Sequence, residues 1–325
     1  VQGADFGFVG QAYEAPDPYQ DSQRLINWYV EMSQDDKSKT ATALLGTPGL
    51  DPIIDLAEGA VRGSWVLPGG SQAVAVSGNT AYLITCTVPP TQNAIAQFST
   101  LAVGTLLTNS GQVGIRDNGA GGYAVFVDGA NGYYLRIAGP GSTQFTGTPI
   151  SGLTTMAYSG TLNTALVAGS AIAGTGIASG ATIVSVSSTL GTIEMSLPAT
   201  SSPGATTITV TLARFGRITD PAFLGADRVA FIDGWLIFNR PGTQTFYTTA
   251  PVPYTLLFDG SFFALKDSTS DNLITLQEIN RELWLVGERA SEIWFNAGGA
   301  QFALQRIPGA APPIGCSAVQ SIAQV

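Results

Sequence analysis

Four times this chain repeats one unit, an apolar run, a tight turn and a second apolar run. The first three are Val74–Val76 and Ala81–Ile84 about Gly78-Asn79, Val125–Val127 and Tyr133–Leu135 about Asp128-Gly129, and Val229–Ile232 and Trp235–Phe238 about Asp233-Gly234. The fourth turns at Arg281 and carries Leu283-Trp284-Leu285-Val286. Asp-Gly and Gly-Asn pairs accept the positive φ angles that short hairpin connections demand. Runs without interleaved polar residues imply strands buried on both faces, as in sheets stacked upon one another.

The turn markers Gly78, Gly129, Gly234 and Arg281 stand 51, 105 and 47 residues apart. Between Ile137 and Ala213 only Glu194 is charged, so composition marks a foreign block across the long interval. Removing Gly152–Ala213 returns that interval to the roughly 40 to 50 residues of a four-stranded propeller blade. The expected fold is therefore all-β: a β-propeller with a small β-sandwich-like insert. The boundaries follow as an N-terminal arm and entry segment at 1–58, blades at 59–151, the insert at 152–213 and further blades at 214–325. Inside the insert, runs such as Thr182–Val186, Thr192–Leu197 and Thr206–Thr211 mix β-branched with small polar residues, which suits a small sandwich with one wet face. The uncharged stretch Ala165–Ser188 is long enough to cross a bilayer, but its Gly, Ser and Thr make it weakly hydrophobic and poorly helical; no membrane segment is expected.

Histidine is absent from the whole chain. That excludes Ser-His-Asp and Cys-His catalysis and the common His-ligated zinc sites. Ser71 lacks the full nucleophile-turn frame and any base to activate it. Gly174–Gly180 has no following Lys-Ser or Lys-Thr and is read as a glycine-rich turn. Asp267–Asn272 could offer oxygen ligands to calcium but misses the EF-hand spacing, so a solvated loop is expected. Cys86 and Cys316 lie too far apart for a metal or disulfide framework and are read as buried thiols. With no catalytic residue, cofactor or metal assigned, the chain is expected not to be an enzyme. A net charge of −9 opposes tight grip on nucleic acid.

Two end segments carry a further pattern. Arg24–Glu31, containing Asn27-Trp28-Tyr29, is followed by Leu44–Leu50 with Pro48-Gly49; Gly287–Phe295, containing Trp294, leads to Arg306-Ile307-Pro308-Gly309-Ala310. Together, in this order on a propeller-like chain, they resemble the tail hub, or nozzle, family of short-tailed bacteriophages related to P22, also called packaged DNA stabilization proteins. The resemblance covers the ends and the blade rhythm, with the insert outside it.

The resemblance implies a structural virion protein of the tail. Such a subunit forms a ring, usually a homohexamer, beneath the portal and adaptor proteins, and meets tail needle, fibre or spike proteins. It retains packaged DNA and provides the channel for DNA ejection, without specific DNA binding. Six acidic copies would repel the phosphate backbone where their carboxylates line the tube. Trp28, Tyr29, Pro48, Gly49, Trp294, Arg306 and Pro308 are then candidate assembly residues, with aromatic core packing, turns and plain inter-blade connections as the alternative roles. Family members continue well past the Arg-Ile-Pro-Gly-Ala segment, which implies a propeller left incomplete at the C-terminus: a fragment, or one closed by neighbours. Two other functions compete, a carbohydrate-active propeller using paired carboxylates, although the sialidase-type boxes are missing, and a host-adhesion protein acting through the insert.

Overall fold

The computed structural model describes residues 28–32, 42–47, 54–56, 59–90, 96–119, 122–159, 166, 169–187, 190–249, 256–299, 302–320 and 322. Val1–Asp55 and Leu56–Val325 form two compact units. In the first, β1 (Trp28–Met32) pairs antiparallel with β2 (Thr42–Gly46), Trp28 opposite Gly46.

The second unit is all-β among the described residues. Blade I comprises β3 (Val61–Val66), β4 (Gln72–Ser77), β5 (Thr80–Val88) and β6 (Gln97–Thr105). Blade II begins with β7 (Gly114–Asp117), β8 (Tyr123–Val127) and β9 (Gly132–Arg136). The chain then leaves through β10 (Gly141–Thr148), β11 (Thr155–Ser159), β12 (Ala171–Gly174), β13 (Ile183–Ser187), β14 (Thr192–Met195) and β15 (Thr206–Leu212). It returns as β16 (Phe215–Arg217), which completes blade II in the order β16-β9-β8-β7. Blade III is β17 (Val229–Ile232), β18 (Trp235–Asn239), β19 (Thr245–Thr249) and β20 (Phe258–Leu265). Blade IV is β21 (Leu273–Ile279), β22 (Glu282–Gly287), β23 (Ser291–Asn296) and β24 (Leu304–Arg306). Each blade is a four-stranded antiparallel meander, and the arrangement is that of a β-propeller.

The apolar runs are buried on both faces because successive residues serve different neighbours. In β8 and β9, Ala124, Phe126 and Leu135 join the core shared with blade I, while Val125, Val127 and Tyr134 join the core shared with blade III. Blade III repeats the division: Leu236 and Phe238 face blade II, and Ala230, Ile232 and Ile237 face the Leu276, Leu283 and Leu285 side of blade IV. Each fully buried Leu, Ile or Phe contributes about 1.5–3 kcal/mol. Among the described residues no such core joins blade IV to blade I.

Two of the four turn markers are out of phase with the others. Gly78 and Gly129 connect the second and third strands of their blades, whereas Asp233-Gly234 and Asn280-Arg281 connect the first and second. Both residues of each later pair have positive φ, 47° and 100° in one and 53° and 66° in the other, so a two-residue loop matches the twist of the strands. The long interval therefore concealed a longer detour than the 62-residue block suggested. The six-stranded sheet of the insert runs from β10 to β15 and so begins ahead of Gly152. The uncharged block that opens at Ile137 brackets that edge; the blade-spacing step, which trims the block to Gly152–Ala213, is what misplaces it.

In the insert the order is β12-β15-β10-β11-β14-β13. The sheet curls over a core of Met156, Ile172, Ile183, Ile193, Ile208 and Val210 until its edges meet. There Ala171 bridges Thr182, and the Ile183 amide donates to the Ser170 carbonyl at 2.9 Å. Entry and exit run side by side, the Arg136 amide donating to the Arg214 carbonyl at 2.7 Å. On return, Phe215 packs against Phe126 and Tyr133, each 5.8 Å between centroids. Gly104 of blade I permits this, since a Cβ there would collide with the Phe215 ring. The uncharged Ala165–Ser188 stretch contributes strands to this sheet, and no helix among the described residues is long and apolar enough to cross a membrane.

Candidate functional site

The first strands of consecutive blades, β3, β7, β17 and β21, are neighbours, so they are the innermost. Glycine lets them approach: a Cβ on Gly114 would stand 2.6 Å from the Asp227 carbonyl oxygen, and one on Gly63 would collide with the Val113 carbonyl. Between these strands lies a cavity of about 170 Å³ whose lining comes from all four blades.

Its chemistry is set by two arginines. Arg116 on β7 lies over the Trp65 ring at 4.4 Å and donates through Nη2 to Glu278 Oε2 of blade IV at 3.2 Å. Trp65 is oriented by donating Nε1 to Asp117 Oδ2 at 2.6 Å, and Asp117 Oδ1 accepts the Gly119 amide at 2.8 Å. Arg228, at the entry to β17, donates Nη2 to Gln277 Oε1 at 3.2 Å. The Nε atoms of Arg116 and Arg228 are both buried without a hydrogen-bond partner, as is Gln320 Nε2 at the cavity wall. Burial lowers the pKa of Arg228 from the ordinary arginine value, and the nearby charge of Arg116 lowers it further.

Arg62, also on an innermost strand, is a contrast. Its Nε donates to the Gly111 carbonyl at 2.7 Å, Nη1 to the carbonyls of Gly78 and Thr108, and Nη2 to Thr108 Oγ1 and the Ser110 carbonyl. That guanidinium is saturated by loop acceptors and fastens the segment leading from blade I to blade II.

The Asp267–Asn272 segment differs from the solvated loop expected of it. Asp267 to Ser270 are exposed, but Asp271 is buried against a fully buried Lys266, whose Nζ lies 2.6 Å from Asp271 Oδ1 and 2.9 Å from Thr269 Oγ1. Asp271 Oδ2 accepts the amides of Arg289 at 2.8 Å and Ala290 at 3.3 Å, and the Thr269 hydroxyl donates to Oδ1. Burial would raise the Asp271 pKa, but Lys266, the Thr269 hydroxyl and the two amides hold it well below the usual carboxylate range. Its oxygens are occupied by structural partners rather than turned outward to a cation. Among the described residues no group of three or more His, Cys, Asp or Glu side chains could hold a metal ion. Cys86 and Cys316 are free and half-buried, more accessible than the buried thiols read from the sequence.

The residues singled out near the C-terminus do gather. Trp294 and Arg306 stand directly opposite each other in β23 and β24. Trp294 packs edge-on against Phe246 of blade III at 5.0 Å and donates Nε1 to Glu292 Oε2 at 2.9 Å. Glu292 is fully buried; its Oε1 accepts the Ser268 amide at 2.5 Å, and Arg306 Nη1 lies 3.8 Å from it and 2.6 Å from Asp267 Oδ1. Pro308 sits in a bulge. The Ile307 amide donates to the Ile293 carbonyl, the chain turns through Gly309 at φ 77°, and the Ile293 and Ser291 amides then donate to Ala310 and Pro312. Trp28 and Tyr29 lie on β1 in the other unit, while Pro48 and Gly49 fall outside the described residues.

No family model matches the chain, and no curated protein matches it. Among solved structures it is similar to Kluyveromyces lactis Hsv2, at 10% identity and a TM-score of 0.28 over 76% of this chain and 62% of that one. It is also similar to the phage phi92 endosialidase, at 13% identity and a TM-score of 0.23 over 74% and 58%. The chain spans about three fifths of the length of these structures.

Proposed function

We propose that this chain is a structural subunit of a virion tail, the hub or nozzle ring beneath the portal and adaptor, and that it holds packaged DNA and passes it at ejection. The observation that carries this reading is the pair of end motifs in family order around a stack of blade sheets, the second motif supplying the edge of blade IV. A non-catalytic role agrees with how four of the described carboxylates are engaged. Asp117 orients Trp65, Asp128 accepts from Thr108 and Asn131, Asp271 neutralises Lys266, and Glu292 anchors Trp294. In this reading the homo-oligomer, taken as a hexamer, contacts portal-adaptor proteins above and needle, fibre or spike proteins below. Net charge of −9 per copy lets DNA slide without being gripped.

Electron microscopy of the purified protein, alone and mixed with its connector, tests this. Rings or short tubes are expected; a chain that stays monomeric and never enters a particle overturns the proposal.

A further inference from the structure

We infer that the axial cavity is a binding site for one small oxyanion of the phosphate type, held between the guanidinium groups of Arg116 and Arg228. Three observations converge on it. The cavity is walled by all four innermost strands, so it is a feature of the folded propeller rather than of one loop. Two cations face it against one carboxylate, Glu278, because Asp117 is already committed to Trp65 and the Gly119 amide, and the partner of Arg228 is the neutral Gln277. Both arginines keep a buried Nε–H without an acceptor, and Gln320 adds a buried amide donor.

A buried, unpaired donor costs about 1–3 kcal/mol, more when it is charged. An anion with several acceptor oxygens removes that penalty at two arginines at once, through charge-assisted hydrogen bonds of the kind guanidinium makes to phosphate. Arg62 shows that the alternative was open to this fold: where an innermost arginine is purely structural, all three of its nitrogens are matched by protein acceptors. The site is also local in origin, since the chain as a whole is acidic, with a net charge of −9. The inference does not depend on what the chain assembles into.

Isothermal titration with inorganic phosphate, at fixed ionic strength maintained with chloride, decides the matter. Wild-type protein is expected to bind one phosphate per chain saturably. Arg228→Leu should weaken binding at least tenfold, and Arg240→Gln, at an exposed arginine of blade III, should leave it unchanged. Glu278→Gln removes the competing carboxylate from Arg116 and should tighten binding several-fold. Absence of saturable binding in wild type, or equal affinity in Arg228→Leu, overturns the inference. Should circular dichroism show that Arg228→Leu does not fold, Glu278→Gln decides alone: unchanged or weaker binding rejects the site.

Discussion

The connection between blades III and IV and the propeller axis both take cations out of water, and they do so on opposite terms. Lys266 is fully buried, with a carboxylate, a hydroxyl and two backbone amides drawn into one closed set of hydrogen bonds. Arg116 and Arg228 are held by one side-chain acceptor each, with a buried nitrogen to spare. A closed set leaves nothing for a ligand, and its role is to fix the blade junction. An open one keeps donors aimed at a space, which is the condition for recognition.

The contrast breaks first at Asp271. Asp271→Ala strands the Lys266 ammonium in the interior and should cost about 3–5 kcal/mol in urea unfolding, whereas Lys266→Met combined with Asp271→Ala should recover part of that loss. If the single change costs under about 1 kcal/mol, the set is not closed. Next comes Arg62→Met, which leaves the Gly78, Thr108, Ser110 and Gly111 carbonyls without their donor; about 2–3 kcal/mol is expected from the same measurement.

A smaller effect is expected in acid. The folded pKa of Asp271 lies below its ordinary value of 3.8, so the stability it supplies is present above that pH and lost as pH falls toward the folded value. Stability of Asp271→Asn should therefore fall less steeply than wild type on acidification from about pH 4. Equal slopes would place the loss in other carboxylates. Smallest is Arg116→Met, which removes a partly exposed ion pair and should change stability by less than about 1 kcal/mol in phosphate-free buffer. A loss near that of Arg62→Met would show that Arg116, too, is structural.

Much of the blade architecture was legible because burial on both faces writes itself into unbroken runs such as Val125–Val127 and Trp235–Phe238. Phase was not. A first-to-second turn and a second-to-third turn have the same local chemistry, so Gly129 and Gly234 looked equivalent until pairing distinguished them, and the insert's edge was misplaced with them. Arg116 and Arg228 carried only a faint signal, each next to an aspartate, Asp117 or Asp227, at the end of a short apolar run. Arg116 meets Glu278 across the axis between blades II and IV, Arg228 meets Gln277 of blade IV, and no spacing rule reports such contacts. Lys266 was hidden for the opposite reason: among Asp267, Ser268, Thr269 and Ser270 it looks like one more solvated residue, and only the approach of Gly287, where a Cβ would collide with Asp271, shows that the segment folds inward.

The bulge at Ile307–Ala310 has a consequence for how this chain meets other chains. The outermost strand of a sheet is a template: a straight row of unpaired amides and carbonyls will accept any extended segment that drifts alongside. Along β23 the pairing partner is broken in two, β24 on one side of the kink and Ala310–Pro312 on the other, with a proline that has no amide to offer between them. An intruding strand could follow that margin for only a few residues before losing register. The kink therefore disfavours docking by strand addition along this margin of blade IV.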